Sequence, residues 1–198
     1  MYGNVLHRRD SLILTAIDVI NELGIQGLSI REVAKRQKIS TASIFSHFKS
    51  KNELILAVLE HFTQYDSVIM QVIRLRNLHS REAIRQYFNL FYTYYENYPA
   101  ITSLLFAYDV LRVEPEFSEK VKSILFLRTG CIMQMVEEAQ AAREIRSDLG
   151  SEEIADIIFG ACKIACLKWR MEGYRFSLKE RVLYTVNTIL DSFAPKQS

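Results

Sequence analysis

Glycine and proline are scarce in this chain, at 7 and 3 among 198 residues. An all-β fold needs many tight turns, so this composition argues against one. Cysteine is scarce too. Cys131, Cys162 and Cys166 are odd in number and sit in apolar helical patterns, so they read as buried free thiols of a reducing compartment. No window approaches 18 uncharged apolar residues, so no transmembrane helix is expected. The opening MYGNVLHRRDS is basic, but the amphipathic run after it carries Asp18 and Glu22. That is not a signal peptide, and a cytoplasmic location is expected. There is no G-x-S-x-G, no glycine-rich phosphate loop and no GxGxxG, which removes the common nucleotide and acyl-transfer signatures. His7, His47, His61 and His79 share no ligand spacing with cysteines or acids, so no metal is expected. Glu137-Glu138 and Glu152-Glu153 read as solvated helix surface. The sequence therefore calls for no catalytic group and no cofactor, and an enzyme is not the expectation.

What is present is ordinary for a globular protein, 49% hydrophobic and 24% charged. The apolar residues recur at helical spacing almost throughout, which predicts an all-α fold of about nine helices. The first spans 8–24, with Ile13, Ala16, Ile17, Ile20 and Leu23 in one stripe and Gly24 as its stop. Further helices are expected over 30–37, 41–48, 52–74 (capped by Asn52), 80–97 (capped by Ser80), 99–112, 116–143, 152–172 and from Ser177 to 193. Gly130 inside the long helix predicts close packing or a kink there.

The stretch from Leu28 to Lys51 organises the rest. Ser29 and Glu32 make a capping-box pattern for the helix 30–37. Lys38-Ile39 makes the turn, with negative φ or mild strain expected at Lys38, and Ser40 or Thr41 caps the next helix. On that helix, at about 100° per residue, Ile44 and Phe48 form the core face. Ala42, Ser43 and Ser46 lie opposite, with Phe45 and His47 on the flanks. The outward face holds no acid, so it can enter a major groove without charge repulsion. Lys49 and Lys51 follow where phosphates would lie. The plainer reading is a small helical hairpin rich in serine. Charge favours the DNA reading: residues 1–51 carry eight Lys/Arg against four acids, a net of +4, leaving −2 for the remainder of a +2 chain.

The pattern from Ala16 to Gly24, with Gly27-Leu28-Ser29-Ile30, Val33-Ala34, Ile39-Ser40, Ile44-Phe45, His47-Phe48, Lys51 and Leu54, resembles the N-terminal domain of TetR-type transcriptional regulators. The resemblance covers about the first sixty residues. It implies a three-helix, helix-turn-helix DNA-binding domain over 1–51, and a helical effector-binding and dimerisation domain over 52–198. The DNA-contacting candidates are Ser29, Arg31, Ser40, Thr41, Ala42, Ser43, Phe45, Ser46, His47, Lys49 and Lys51. Two positions depart from the family. Lys38 stands where glycine is usual in the turn. Phe45 stands where tyrosine is usual, and has no hydroxyl to give a phosphate.

The span 87–108 is dense in aromatics, the usual makeup of an apolar pocket with phenolic hydroxyls. Candidate effector contacts are Phe88, Phe91, Tyr92, Tyr95, Phe106, Tyr108, Arg128 and Met135, some of which must be plain core. The helix 152–172 is apolar on nearly every side and carries small residues. It faces its own core on one side and a partner subunit on the other, or else is simply central. Candidate interface residues are Ile157, Ala161, Ala165, Trp169, Val186, Ile189 and Phe193. The resemblance implies that the last two helices form a four-helix dimer interface, rimmed by Trp169, Arg170 and Arg175. The expected partners are therefore palindromic double-stranded DNA, a small apolar or aromatic effector and a second copy of the chain. The alternatives are a DNA-binding protein of this fold without an effector, acting through protein partners, and an all-α enzyme using the aromatic pocket.

Overall fold

The apolar periodicity is expressed as helix in nearly every segment. The computed structural model describes residues 8–195, so the expectations for residues 1–7, His7 included, lie outside the described residues. Among those described are ten α-helices, one 3₁₀ helix and no strand. They form two compact units, one of the residues through Gln64 with Ala100–Lys122, the other of Tyr65–Pro99 with Ser123 onward. No helix is long and apolar enough to cross a membrane.

In the first unit, α1 (Arg8–Gly27) buries Leu12, Ile13, Ala16, Ile17, Val19 and Ile20. Its regular turn breaks at Gly24, at φ 73° and ψ 172°. Leu23, expected in the stripe, is consequently 52% exposed. α2 (Ile30–Gln37) starts on Ser29, whose hydroxyl accepts from the Glu32 amide at 3.1 Å. The Gln37 side chain fastens its other end to α1 through Ser11 and Thr15. The turn after α2 departs from expectation. Lys38 is left-handed, at φ 53° and ψ 45°. Its amide bonds the Lys35 carbonyl and the Ile39 amide bonds the Ala34 carbonyl at 3.0 Å, which closes a Schellman motif. The turn geometry therefore prevails over the preference of a β-carbon for negative φ, and strain is stored at Lys38. Lys38→Gly should raise stability by about 1 kcal/mol. Urea titrations of both proteins measure it, and a midpoint that fails to rise would refute the strain.

α3 (Thr41–Phe45) is shorter than expected. Ser40, rather than Thr41, caps it by accepting from the Ser43 amide at 3.2 Å. The His47 and Phe48 amides both turn back to the Ile44 carbonyl, at 2.9 Å each. That shared acceptor ends the helix, yet Phe48 still points inward and is fully buried. α4 (Lys51–Thr63) is capped by Ser50, not Asn52. The Asn52 amide donates instead to the Glu116 carboxylate. α4 packs on α1, burying Leu54, Ile55, Val58, Leu59 and Phe62.

The single helix expected over 52–74 is two. α4 ends at Thr63, whose hydroxyl turns back onto the Leu59 and Glu60 carbonyls. α5 (Asp66–Leu75) opens the second unit with a buried Asp66 in its first turn. α6 (Ser80–Asn97) is not capped by Ser80: His79 holds the cap position without a side-chain bond. The Arg81 amide is satisfied from afar by the Glu144 carboxylate at 3.1 Å.

Pro99 does start an element, but it is a 3₁₀ helix, Pro99–Phe106, followed in the first unit by the short α7 (Tyr108–Leu111). α8 (Pro115–Ala141) follows. Gly130 within it is not closely packed, since an added Cβ would meet nothing within 4 Å. α9 (Ser151–Met171) is entered through Gly150, while the Ser151 hydroxyl reaches back to Glu137 at 3.1 Å. α10 (Leu178–Ser192) is capped by Ser177 as expected and packs on α6 and α9. The Trp169 indole N–H donates to the Phe176 carbonyl at 2.8 Å, which pins the α9–α10 turn.

Candidate nucleic-acid interface

The residues following the Schellman turn form one surface. With Ile44 and Phe48 buried, the side chains of Ser40, Thr41, Ala42, Ser43, Phe45 and Ser46 are all exposed, and His47 is half-buried. Lys49 is exposed and Lys51 half-buried at the mouth of α4. Ser29 keeps its cap role, with its oxygen committed to the Glu32 amide. Arg31 is exposed one turn into α2.

Not all the basic residues of this region remain available. Arg36 is held by Glu22 at 2.8 Å and Glu32 at 2.9 Å. The hydrogen bond from Arg36 holds the Glu32 carboxyl below its ordinary range. Arg9 lies over the Phe48 ring, 4.8 Å from its centre, a cation–π contact on the outside of the core. Glu53, a residue that the sequence reading passed over, belongs to the site. Its carboxylate accepts the Lys49 amide at 2.6 Å, and its own amide is capped by Ser50. The S-x-x-E pattern at 50–53 was visible on the same grounds as that at 29–32.

The effector candidates are divided. In the second unit, Phe88, Phe91, Tyr92 and Tyr95 are all at most 5% exposed. Their rings meet one another and Tyr87, mostly tilted or edge-on: Tyr87–Phe91 at 4.7 Å, Tyr92–Tyr95 at 5.4 Å, Phe88–Tyr92 and Phe91–Tyr95 at 6.1 Å. Burial pushes the Tyr87 and Tyr92 hydroxyls well above their ordinary pKa, so both stay protonated. Arg128 is buried among them. Two of its nitrogens meet the Asp66 carboxylate at 2.8 Å each, a third donates to the Tyr95 hydroxyl at 3.2 Å, and the Phe91 ring lies 5.1 Å away. Asp66 is the second residue that sequence reasoning missed. An arginine on the inner side of a long helix demands a buried acid, but nothing in the sequence says which one. In the first unit, Tyr108 is buried and its ring meets Phe62 at 6.4 Å, and Phe106 is half-buried.

Met135 lines a described cavity of about 290 Å³ in the second unit, with Met70, Ile73, Arg74, His79 and Gln134. A groove of about 370 Å³ runs between α8 and α9, past Phe126, Gly130, Met133 and Phe159. Among the described residues no group of three or more His, Cys, Asp or Glu could hold a metal ion.

Of the interface candidates, Trp169, Val186 and Ala165 are buried within the chain, at 2%, 0% and 8% exposed. Ala161, Ile189 and Phe193 are half-buried and Ile157 is exposed. The outward apolar line of α9 runs through Ile157, Ile164 and Met171, and Tyr184 stands out from α10. The Trp169 indole N–H finds the Phe176 carbonyl inside the α9–α10 turn. Arg170 is half-buried, with one nitrogen 3.4 Å from the Pro99 carbonyl, and Arg175 is exposed.

Two capped helices joined by a Schellman turn, the second presenting an acid-free exposed face, define a helix-turn-helix DNA-binding domain. Residues 12–58 match the bacterial regulatory proteins of the tetR family. These residues thus carry the DNA-binding domain of that family.

Among curated proteins it is 22% identical over 142 residues to the HTH-type transcriptional repressor NicS of Pseudomonas putida, covering 71% of this chain and 67% of that one. It is 28% identical over 144 residues to the HTH-type transcriptional activator FasR of Mycolicibacterium smegmatis, covering 70% and 65%. The chain thus spans about two thirds of the length of these relatives. Among solved structures, the ketosteroid transcriptional regulator KstR2 of Mycobacterium tuberculosis superposes with a TM-score of 0.83, over 98% of both chains, at 18% identity. At that identity the likeness is one of fold.

Proposed function

We propose that this protein is a dimeric transcriptional regulator, a repressor that binds a near-palindromic operator and leaves it when a small, largely apolar effector binds. The observation that carries the reading is the exposed, acid-free face from Ser40 to Ser46, set on a buried Ile44 and Phe48. In a dimer, two such faces enter successive major grooves about 34–36 Å apart, which requires a two-fold operator. The outward apolar line of Ile157, Ile164 and Met171 with Tyr184 supports a second copy as partner. Repression is taken from the curated name of NicS; the relative FasR is named an activator, so a reporter assay must read the sign.

The effector part rests on the aromatic and methionine content of the second unit. It requires that effector affinity differ between the DNA-competent and released states. A second reading has its own support. Tyr87, Phe88, Phe91, Tyr92 and Tyr95 are packed on each other, and Arg128 is neutralised by Asp66. That arrangement suits a DNA-binding protein of the same fold that uses no effector and acts through protein partners.

The experiment is a selection of random and genomic duplexes on the purified protein, at two salt concentrations, with and without a small-molecule extract of cells. Enrichment of a two-fold site that the extract abolishes supports the effector-released repressor. Enrichment that the extract leaves intact supports the second reading. Absence of any sequence preference at either salt refutes both. On the enriched site, Lys51→Ala should weaken binding to all sequences. It should also make the slope of log K against log[salt] shallower by about 0.9 for each phosphate that is no longer neutralised. An unchanged slope would show that Lys51 does not pair with a phosphate.

A further inference from the structure

The exposed face of α3 is poor in groups that read bases by hydrogen bonding. From Ile39 to Phe48 there is no Arg, Lys, Asn, Gln, Asp or Glu, so the bidentate pairings to guanine and adenine are unavailable from this helix. Its serines are also engaged internally. The Ser46 hydroxyl gives its one proton to the Ser43 carbonyl at 2.8 Å. Ser40 and Ser43 share a hydroxyl–hydroxyl bond at 3.0 Å, and the Ser40 oxygen further accepts the Ser43 amide.

What the face offers instead is apolar. Phe45 is 50% exposed and makes no ring contact with another aromatic or a cation among the described residues. Thr41 and Ala42 lie four and three positions before it, so their methyl groups adjoin the ring on one continuous helix surface. An aromatic ring of this size left half in water is stabilised by whatever apolar surface covers it. The only apolar group that a base pair presents in the major groove is the 5-methyl of thymine.

We propose that this protein reads its operator chiefly through thymine methyl groups, with Phe45 as the specificity-determining residue and the Thr41 and Ala42 methyls completing the contact surface. The inference rests on the DNA-binding reading above and adds to it the chemical feature that is recognised. It separates two roles within the same surface. Lys49 and Lys51 hold the backbone irrespective of sequence, while Phe45 sets register on thymines. The half-site is accordingly thymine-bearing at the positions facing α3, on either strand.

The test uses the full-length protein and the duplex enriched in the selection. Each half-site thymine is replaced singly by deoxyuridine, which keeps the base pair and O4 and removes only the methyl. One or two positions per half-site should weaken binding about fourfold each, equivalent to about 0.8 kcal/mol for one buried methyl-sized group. Symmetric replacement in both half-sites should cost about fifteenfold by the same constant. Phe45→Ala should bind the thymine and deoxyuridine duplexes alike, with its salt slope unchanged, and Phe45→Leu should retain part of the discrimination.

The deoxyuridine series needs no protein variant, so a misfolded Phe45→Ala leaves it decisive. Equal affinity for thymine and deoxyuridine at every position overturns the proposal while leaving the DNA-binding reading intact. So does an enriched half-site without thymine, or a deoxyuridine penalty that Phe45→Ala keeps in full. No enriched site at all overturns the DNA-binding reading and the proposal with it.

Discussion

Asp66→Ala should destabilise the second unit by about 3–5 kcal/mol, the usual cost of removing one partner from a buried ion pair. Arg128 is 3% exposed and Asp66 8%, and two guanidinium nitrogens meet two carboxylate oxygens at 2.8 Å each. Two parallel charge-assisted bonds of this geometry are the strong kind. Taking the carboxylate away deprives a buried cation of that counter-charge, and the cost of burying the charge is no longer offset. Against a total stability of about 5–15 kcal/mol for a typical domain, this is a large loss.

Urea titration followed by the fluorescence of Trp169, which lies in the same unit, reads the effect. The double replacement Asp66→Leu with Arg128→Met should recover most of the loss, because an apolar pair needs no desolvation of charge. A single-variant loss below about 1 kcal/mol would show that water or another group already compensates Arg128.

Phe48→Ala carries the second large effect, about 3–5 kcal/mol from the first unit. Phe48 is fully buried, directly after the turn in which the His47 and Phe48 amides share the Ile44 carbonyl. Its ring supports the exposed residues of α3 from behind, and Arg9 covers it at 4.8 Å. Truncation leaves a cavity under the reading face, so operator affinity should fall with stability. Phe45→Ala is the contrast. Three residues earlier and half in solvent, it should change stability by less than about 0.5 kcal/mol while altering binding. Thermal melts of both variants beside operator titrations distinguish a support from a contact. Equal melting losses would mean that Phe45 is also part of the core.

The helix-turn-helix was legible because its signals are local. Ser29 and Glu32 cap, Ile44 and Phe48 point inward at helical spacing, and basic residues flank the acid-free segment; each is read within a few positions. The left-handed Lys38 was not legible, since the composition of Lys38-Ile39 gives no hint of a Schellman turn without glycine. The break after Thr63 was likewise hidden. No Gly or Pro stands at 64–65, so the apolar period runs on through a junction that the backbone does not follow. The capping of α6 was missed because its donor is satisfied by Glu144, more than sixty residues away.

By itself the sequence determined the helical class, the places of most helices, and a basic N-terminal head with an outward face built of hydroxyls, methyls and one aromatic ring. These follow from periodicity, capping residues and charge, which act over one or two turns. The tertiary structure alone decided which aromatics became core, that Arg128 is answered by Asp66, and that Trp169 turns inward while Ile157, Ile164 and Met171 face outward. Those outcomes depend on which distant side chain fills a given volume or neutralises a given charge, and a buried charge accepts only a partner that the whole fold brings within bonding distance.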